Sequence, residues 1–256
     1  MQAPLPPPFK RLAWSNLAAQ SAEQLSLAAV PLVAVLMLGA GPGEIGLLAA
    51  LQTLPFLLLS IPLGLLADRF SRCRLMVAAE TLRALSLLAL LAMVLSGQLS
   101  IAGLALLGFI GAVGTVCFSV AAPALVPAIV PREALVCANG RLELARSMAY
   151  AAGPALAGAL VAWAGAPAAF VLAALMSASA VALLLRLSEP ARTPAAGRHA
   201  LLEIRDGAQF VWQQPYLRPM VLTGIVWNIA WFVLQAAYVP YAVRVLGLTA
   251  QGVGIT

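Results

Sequence analysis

A chain of 256 residues in which 62% are hydrophobic and 9% charged, with a mean hydropathy of +0.97, cannot build an ordinary water-facing surface, for which about a quarter of the residues carry charge. Most of its exterior must face lipid, and its long, non-alternating Leu- and Ala-rich runs favour helices over barrel strands. The formal charge of +6 would by itself suit nucleic acid, but its placement along the chain gives another account.

A hydrocarbon layer about 30 Å thick calls for about 20 apolar helical residues. Met1 to Lys10 is Pro-rich, and the apolar run behind it is too long for the core of a cleaved leader, so it is read as the first span. The predicted spans are Ala13–Leu38, Ile45–Leu66, Leu75–Leu95, Ile101–Leu125, Leu142–Trp163, Ala166–Leu187 and Pro219–Val243. Gly41–Gly43, Ser96–Ser100 and Gly165–Pro167 mark short turns. Lys10 and Arg11 precede the first span; Arg69, Arg72 and Arg74 follow the second; Arg132 and Arg141 follow the fourth; Arg186, Arg192, Arg198, Arg205 and Arg218 lie around the segment after the sixth. Loops 39–44, 96–100 and 164–167 contain no Lys or Arg. The positive-inside rule then puts the N-terminus in the cytoplasm, and the expected location is a cell membrane, the bacterial inner or plasma membrane. Topology accounts for the basic charge, and no nucleic-acid partner is expected.

The fold class expected is an all-α membrane protein: a six-helix N-terminal bundle over 1–187, a cytoplasmic linker over 188–218 and a seventh transmembrane helix in 219–256. Within the linker, Leu201, Leu202, Ile204, Phe210, Val211 and Trp212 form the apolar stripe of an interfacial helix. The seventh span has no obvious partner helices before Gly254-Ile255-Thr256. It is expected to open a second bundle whose remainder is missing, so that this chain alone would not transport unless another polypeptide supplied that C-terminal half.

The sharpest motif is Gly64-Leu65-Leu66-Ala67-Asp68-Arg69-Phe70-Ser71-Arg72-Cys73-Arg74, between spans two and three. It resembles the signature G-x-L-A-D-R-x-G-R-R/K of the major facilitator superfamily, matching at Gly64, Asp68, Arg69, Arg72 and Arg74, with Ser71 in place of a glycine. The resemblance implies alternating access by two six-helix bundles and a loop that latches one conformation. Gly64 is expected to permit close helix approach, and the arginines to lie at the anionic inner surface.

In span five, Gly153-Pro154-Ala155-Leu156-Ala157-Gly158 resembles the Gly-Pro motif of exporters in that superfamily, where it accompanies antiport; Gly153, Pro154 and Gly158 are its marked positions. Bare small-residue packing is the rival reading. Pro131-Arg132-Glu133-Ala134-Leu135, Ala138-Asn139-Gly140, the QQPYLRPM connector and Tyr241–Leu248 are similar to the branch holding enterobactin-type siderophore exporters and macrolide-efflux proteins. These resemblances imply efflux of a small amphipathic molecule.

Glu23 stands about ten residues into span one beside Gln20, Gln24 and Ser26. A carboxylate at that depth must face a cavity, find a partner or carry a proton, and the exporter resemblance nominates it for proton coupling. Glu80 and Arg83, and Glu143 and Arg146, are spaced i,i+3, which suits structural pairing within the 3+3 repeat plan. Gln52 with Thr53 in span two, and Asn228, Trp231, Gln235 and Tyr238 in span seven, are candidates for a substrate path or for packing. Cys73, Cys117 and Cys137 lack metal-ligand spacing, and His199 is the sole histidine. No cofactor or metal is expected, and an enzyme is disfavoured for want of an ordered catalytic set. The rival functions are a non-transporting assembly protein or truncated-gene fragment, and a lipid transporter of the same superfamily.

Overall fold

A computed structural model describes residues 5–190 and 200–244, the side chains of 200, 201, 203 and 231–244 excepted. Two compact units are distinguished, Met1–Gly197 and Arg198–Thr256, and each is described by itself. His199 and the segment 245–248 lie outside the described residues, as do the side chains of Trp231, Gln235 and Tyr238.

The first unit contains α1 (Pro7–Leu38), α2 (Pro42–Arg69), α3 (Arg72–Leu95), α4 (Ile101–Ile129), α5 (Leu135–Ala164, entered through a 3-10 turn at Arg132–Ala134) and α6 (Ala166–Leu185). All six are long and apolar enough to cross a bilayer, and the described residues contain no strand. The helices overrun the predicted spans mostly at their polar ends: α1 begins six residues before Ala13, and α5 seven before Leu142. Hydropathy marks where lipid stops, whereas helical hydrogen bonds continue into the aqueous layer until a cap ends them. Gly39, Gly97 and Gly165 provide such ends on one side of the bundle, with φ of 64°, 68° and 79° that a side chain would strain. Ser71 and Ser100 cap α3 and α4 by accepting from the Arg74 and Gly103 amides.

The packing has an internal symmetry. α1 packs on α5 and α6, α4 packs on α2 and α3, and α3 packs on α6. Exchanging α1 with α4, α2 with α5 and α3 with α6 maps this set of neighbours onto itself, as a 3+3 repeat requires. The Glu80–Arg83 and Glu143–Arg146 pairs sit on α3 and α5, which the repeat does not exchange, so they are not repeat mates.

Two apolar clusters fill the interior. One, with Phe9, Leu12, Met76, Phe118, Leu125 and Leu184, lies toward the end bearing Arg69, Arg72 and Arg74. The other, with Leu25, Val30, Leu48, Leu90, Leu104 and Phe170, lies toward the opposite end. Between them runs a buried polar layer that includes Glu80, Arg83, Ser86, Thr115 and Ser177. Helix approach is closest at glycines on α4 and α5. A Cβ on Gly114 would stand 2.6 Å from the Ala79 carbonyl oxygen, and one on Gly153 would stand 2.4 Å from the Gln24 Cβ. Gly64, expected to be such a point, is not one among the described residues, where the nearest neighbour of a Cβ there would be a Val120 methyl at 3.9 Å, ordinary contact.

The second unit contains α7 (Ala200–Gln213), strongly amphipathic, and α8 (Leu217–Arg244), which runs 28 residues over the predicted seventh span. The Arg218 guanidinium lies 4.6 Å from the Trp212 ring centroid and so ties the start of α8 to α7.

Candidate functional site

The predicted site residues of the first unit fall into three places, a cavity within the bundle, the α2–α3 loop region at its basic end and the Gly153–Gly158 segment of α5. The cavity has a volume of about 1170 Å³ and is walled by α1, α2, α4 and α5, with α3 behind them. On α1, Asn16, Gln20, Glu23 and Leu27 recur at helical spacing and share one wall. Gln52, Thr53 and Phe56 come from α2, Gly108, Gly111 and Thr115 from α4, and Glu143, Arg146 and Tyr150 from α5. Gly108 leaves room for the Gln52 side chain, whose amide nitrogen a Cβ there would approach to 3.2 Å. Asn16 donates to the Leu142 carbonyl at 3.2 Å and fastens α1 to α5.

Both i,i+3 pairs form, in very different surroundings. Glu143 and Arg146 meet at 2.8 Å with both side chains exposed. Glu80 and Arg83 meet at 2.7 Å with side-chain exposures of 0% and 4%. Arg83 does more than its spacing indicates. Its Nη1 also donates to the Ala19 carbonyl of α1 at 3.0 Å, and its Nη2 donates to Thr115 Oγ1 of α4 at 2.7 Å. Ser177 on α6 faces Glu80 outside hydrogen-bond geometry, and Glu80 Oε2 and Ser177 Oγ are buried without a hydrogen-bond partner among the described residues. The pair thus anchors α1, α3 and α4 in the membrane interior. The i,i+3 spacing announced the pair; the links to Ala19 and Thr115 depend on packing that spacing does not encode.

Glu23 lines the cavity, half-buried, with no hydrogen bond or ion pair to any described residue. The charged groups acting on it are Arg83 and Glu80 of α3 and Arg146 of α5. Gly153 and Gly158 divide. Gly153 is the buried contact of α5 with Gln24 of α1, whereas Gly158 faces open space and Pro154 lies exposed within the helix.

At the loop, Asp68 reaches Arg72 at 3.7 Å, and Arg72 donates to the Ala124 carbonyl of α4. Ser71, which stands where the signature has glycine, has φ of −60° and needs no glycine. Its hydroxyl accepts from the Arg74 amide at 3.2 Å and donates to Glu189 Oε2 at 2.5 Å. Glu189 also accepts from the Arg72 and Cys73 amides at 3.2 and 3.1 Å. This carboxylate, at the N-terminus of α3 where the helix dipole favours an anion, was invisible to sequence reasoning, because it lies more than a hundred residues from its partners. It pins the segment after α6 to the loop, and the loop and Glu189 together border a second cavity of about 630 Å³ that also includes Asp68, Arg69 and Arg74.

Of the remaining candidates, Asn228 lies on α8 in the second unit and turns its amide back to the Gly224 carbonyl at 2.8 Å. The three cysteines form no disulfide, and no group of three or more metal-ligating side chains occurs, among the described residues.

A comparison with curated proteins returns no match. The family model of the Major Facilitator Superfamily matches residues 12–256, nearly the whole chain and both of the regions just described. With six membrane-length helices in a 3+3 arrangement and the signature loop between the second and third, the chain belongs to the Major Facilitator Superfamily, a superfamily of membrane transporters.

Proposed function

We propose that this transporter exports a small amphipathic compound in exchange for protons, with Glu23 as the proton-carrying group and the cavity around it as the substrate path. The observation that carries this reading is the placement of Glu23: a carboxylate at membrane depth, without an ion-pair partner, on the wall of a cavity of about 1170 Å³. In a low-dielectric interior such a group is costly unless water, a proton or a ligand answers its charge, so its occupancy biases the conformations that present it differently to the two sides. Gln52 supplies a polar contact on the facing wall. The loop residues Gly64, Asp68, Arg69, Arg72 and Arg74 act as the conformational latch, with Glu189 as their anchor in this bundle. Gly153 and Pro154 belong to the exporter motif, which keeps α5 against α1. The N-terminus faces the cytoplasm of a cell membrane, because Lys and Arg are confined to alternate connections.

The test is extrusion of fluorescent amphipathic dyes from cells producing the protein, compared with the Glu23→Gln variant at matched membrane abundance. Extrusion that a protonophore abolishes, and that falls at least about tenfold in the variant, is expected for a group that carries the coupled proton. Undiminished protonophore-sensitive extrusion by Glu23→Gln removes Glu23 from the coupling mechanism.

A further inference from the structure

We propose that this cavity selects solutes carrying an uncharged amide-type group, such as a secondary amide, lactam or urea, and that Gln52 reads that group from a notch cut in α4 by Gly108. The inference rests on the transporter reading above and narrows it to a chemical class of substrate.

Gln52 of α2 is only 9% exposed, yet its carboxamide makes no hydrogen bond to any described residue. The side chain is not sealed in, because it lines the cavity. Asn16, the other buried amide of that wall, differs: its nitrogen is taken by the Leu142 carbonyl. A buried carboxamide left unbonded is costly, so Gln52 gains where a ligand answers it. The notch explains how it reaches the lumen. Gln52 lies across Gly108 of α4, where a Cβ would stand 3.2 Å from Nε2 and 3.4 Å from Cγ. One turn along α4, Gly111 does the same for Ser86 of α3, whose Oγ would lie 3.2 Å from a Cβ there. Two glycines three residues apart thus open neighbouring gaps, about 5 Å from each other, and both Gln52 and Ser86 line the cavity through them.

The chemistry of the two groups sets what they bind. Ser86 donates its proton to the Arg83 carbonyl at 2.8 Å, which leaves it acceptor capacity alone. Gln52 offers both an N–H donor and a carbonyl acceptor. A ligand carbonyl can therefore accept from the Gln52 N–H, while a ligand N–H donates to the Gln52 carbonyl or to Ser86 Oγ. An amide carries both functions within the span of the two gaps. A ligand lacking them would cover Gln52 without bonding it, which is how a hydrogen-bonding site rejects an analogue of the same shape. The apolar remainder of the ligand meets Phe56 and Leu90, each four residues beyond Gln52 or Ser86 on its helix and also on the cavity wall.

The experiment uses two uncharged probes of similar shape, benzanilide with a central amide and trans-stilbene with a central carbon–carbon double bond. Binding of each to the purified protein in detergent is measured by equilibrium dialysis, with the free probe counted in protein-free micelles so that bulk hydrophobicity cancels. The parent protein is expected to bind benzanilide at least about tenfold more tightly than stilbene. Gln52→Met should abolish the preference by weakening benzanilide alone. Gly108→Ala, which displaces the carboxamide without removing it, should cut the preference by about threefold or more while stilbene affinity stays within about twofold. Ser179→Ala, on the exposed face of α6, should leave the preference unchanged. Equal binding of the two probes, a preference for stilbene, a preference that survives Gln52→Met, or no saturable binding of either probe overturns the proposal. Saturable, amide-blind binding together with protonophore-sensitive dye extrusion would sink the amide class and leave the transporter reading standing. A Gln52-dependent amide preference without extrusion would do the reverse.

Discussion

Arg83 shows what a charge inside a membrane demands of its neighbours. A guanidinium with 4% exposure needs partners for its donors, and here a carboxylate, a backbone carbonyl and a hydroxyl from three different helices engage Nη1 and Nη2, while Nε is buried without a hydrogen-bond partner among the described residues. Removing one partner leaves the other charged and dry. Arg83→Met is accordingly expected to lower stability by about 3–5 kcal/mol, read as a shift in the unfolding curve in mixed micelles. Replacing both partners, Glu80→Gln with Arg83→Gln, should recover more than half of that loss. A double variant as unstable as the single one would show that the pair's worth lies in its links to Ala19 and Thr115 rather than in its charge. The pairing of Glu80 with Arg83 was readable from their i,i+3 spacing. Its burial, and its contrast with the exposed Glu143–Arg146 pair of identical spacing, was not, because sequence distance along one helix carries no information about which face meets another helix.

Among the helices, the glycines sort by what stands opposite them rather than by the motif that contains them. A Cβ on Gly114 or Gly153 would meet the backbone or Cβ of a facing helix at 2.6 and 2.4 Å, whereas one on Gly158 would have nothing within 4 Å among the described residues and one on Gly64 only a methyl at 3.9 Å. Overpacking a rigid contact costs about 1–3 kcal/mol, so Gly114→Ala and Gly153→Ala are expected to destabilise the bundle by amounts in that range. Gly153→Ala should also separate α1 from α5 and alter the cavity wall beside Gln24. Gly64→Ala and Gly158→Ala should stay within about 0.5 kcal/mol of the parent, as substitutions at unconstrained positions do. Thermal unfolding of the four single variants in one detergent gives the comparison, and equal effects in all four would remove the close-approach account. Helix existence was legible throughout, since six long apolar runs leave few alternatives. Helix ends were legible where glycine or serine marks a turn, as at Gly39 and Ser100, but α3 starts at Arg72, ahead of the predicted Leu75. The polar first turns of α1 and α5 were missed because hydropathy falls to aqueous values before the hydrogen-bond ladder stops.

For the molecule as a whole, the connectivity of α1–α6 sends every Lys- and Arg-bearing connection of the first unit to the end that holds Phe9, Met76 and Leu184, and every Gly-capped connection free of Lys and Arg to the other. The 3+3 exchange of helix neighbours makes this separation a consequence of the fold rather than of any one loop, since each repeat of three helices enters and leaves on opposite sides. Anionic lipids and the membrane potential hold arginine-rich connections on the cytoplasmic side. The proposed orientation, with the N-terminus in the cytoplasm, therefore rests on eight separate side chains: Lys10, Arg11, Arg69, Arg72, Arg74, Arg132, Arg141 and Arg186. No single substitution among them should invert the protein. With Cys73, Cys117 and Cys137 replaced by serine, cysteines introduced at Ala40 and Gln98 are expected to react in intact cells with a membrane-impermeant maleimide. A cysteine introduced at Glu133 should react only after the membrane is opened. The same pattern should persist in an Arg132→Gln, Arg141→Gln background, because six basic residues still mark that side. Labelling of position 133 from outside, in either background, would reverse the assigned topology and with it the direction in which a proton reaching Glu23 would travel.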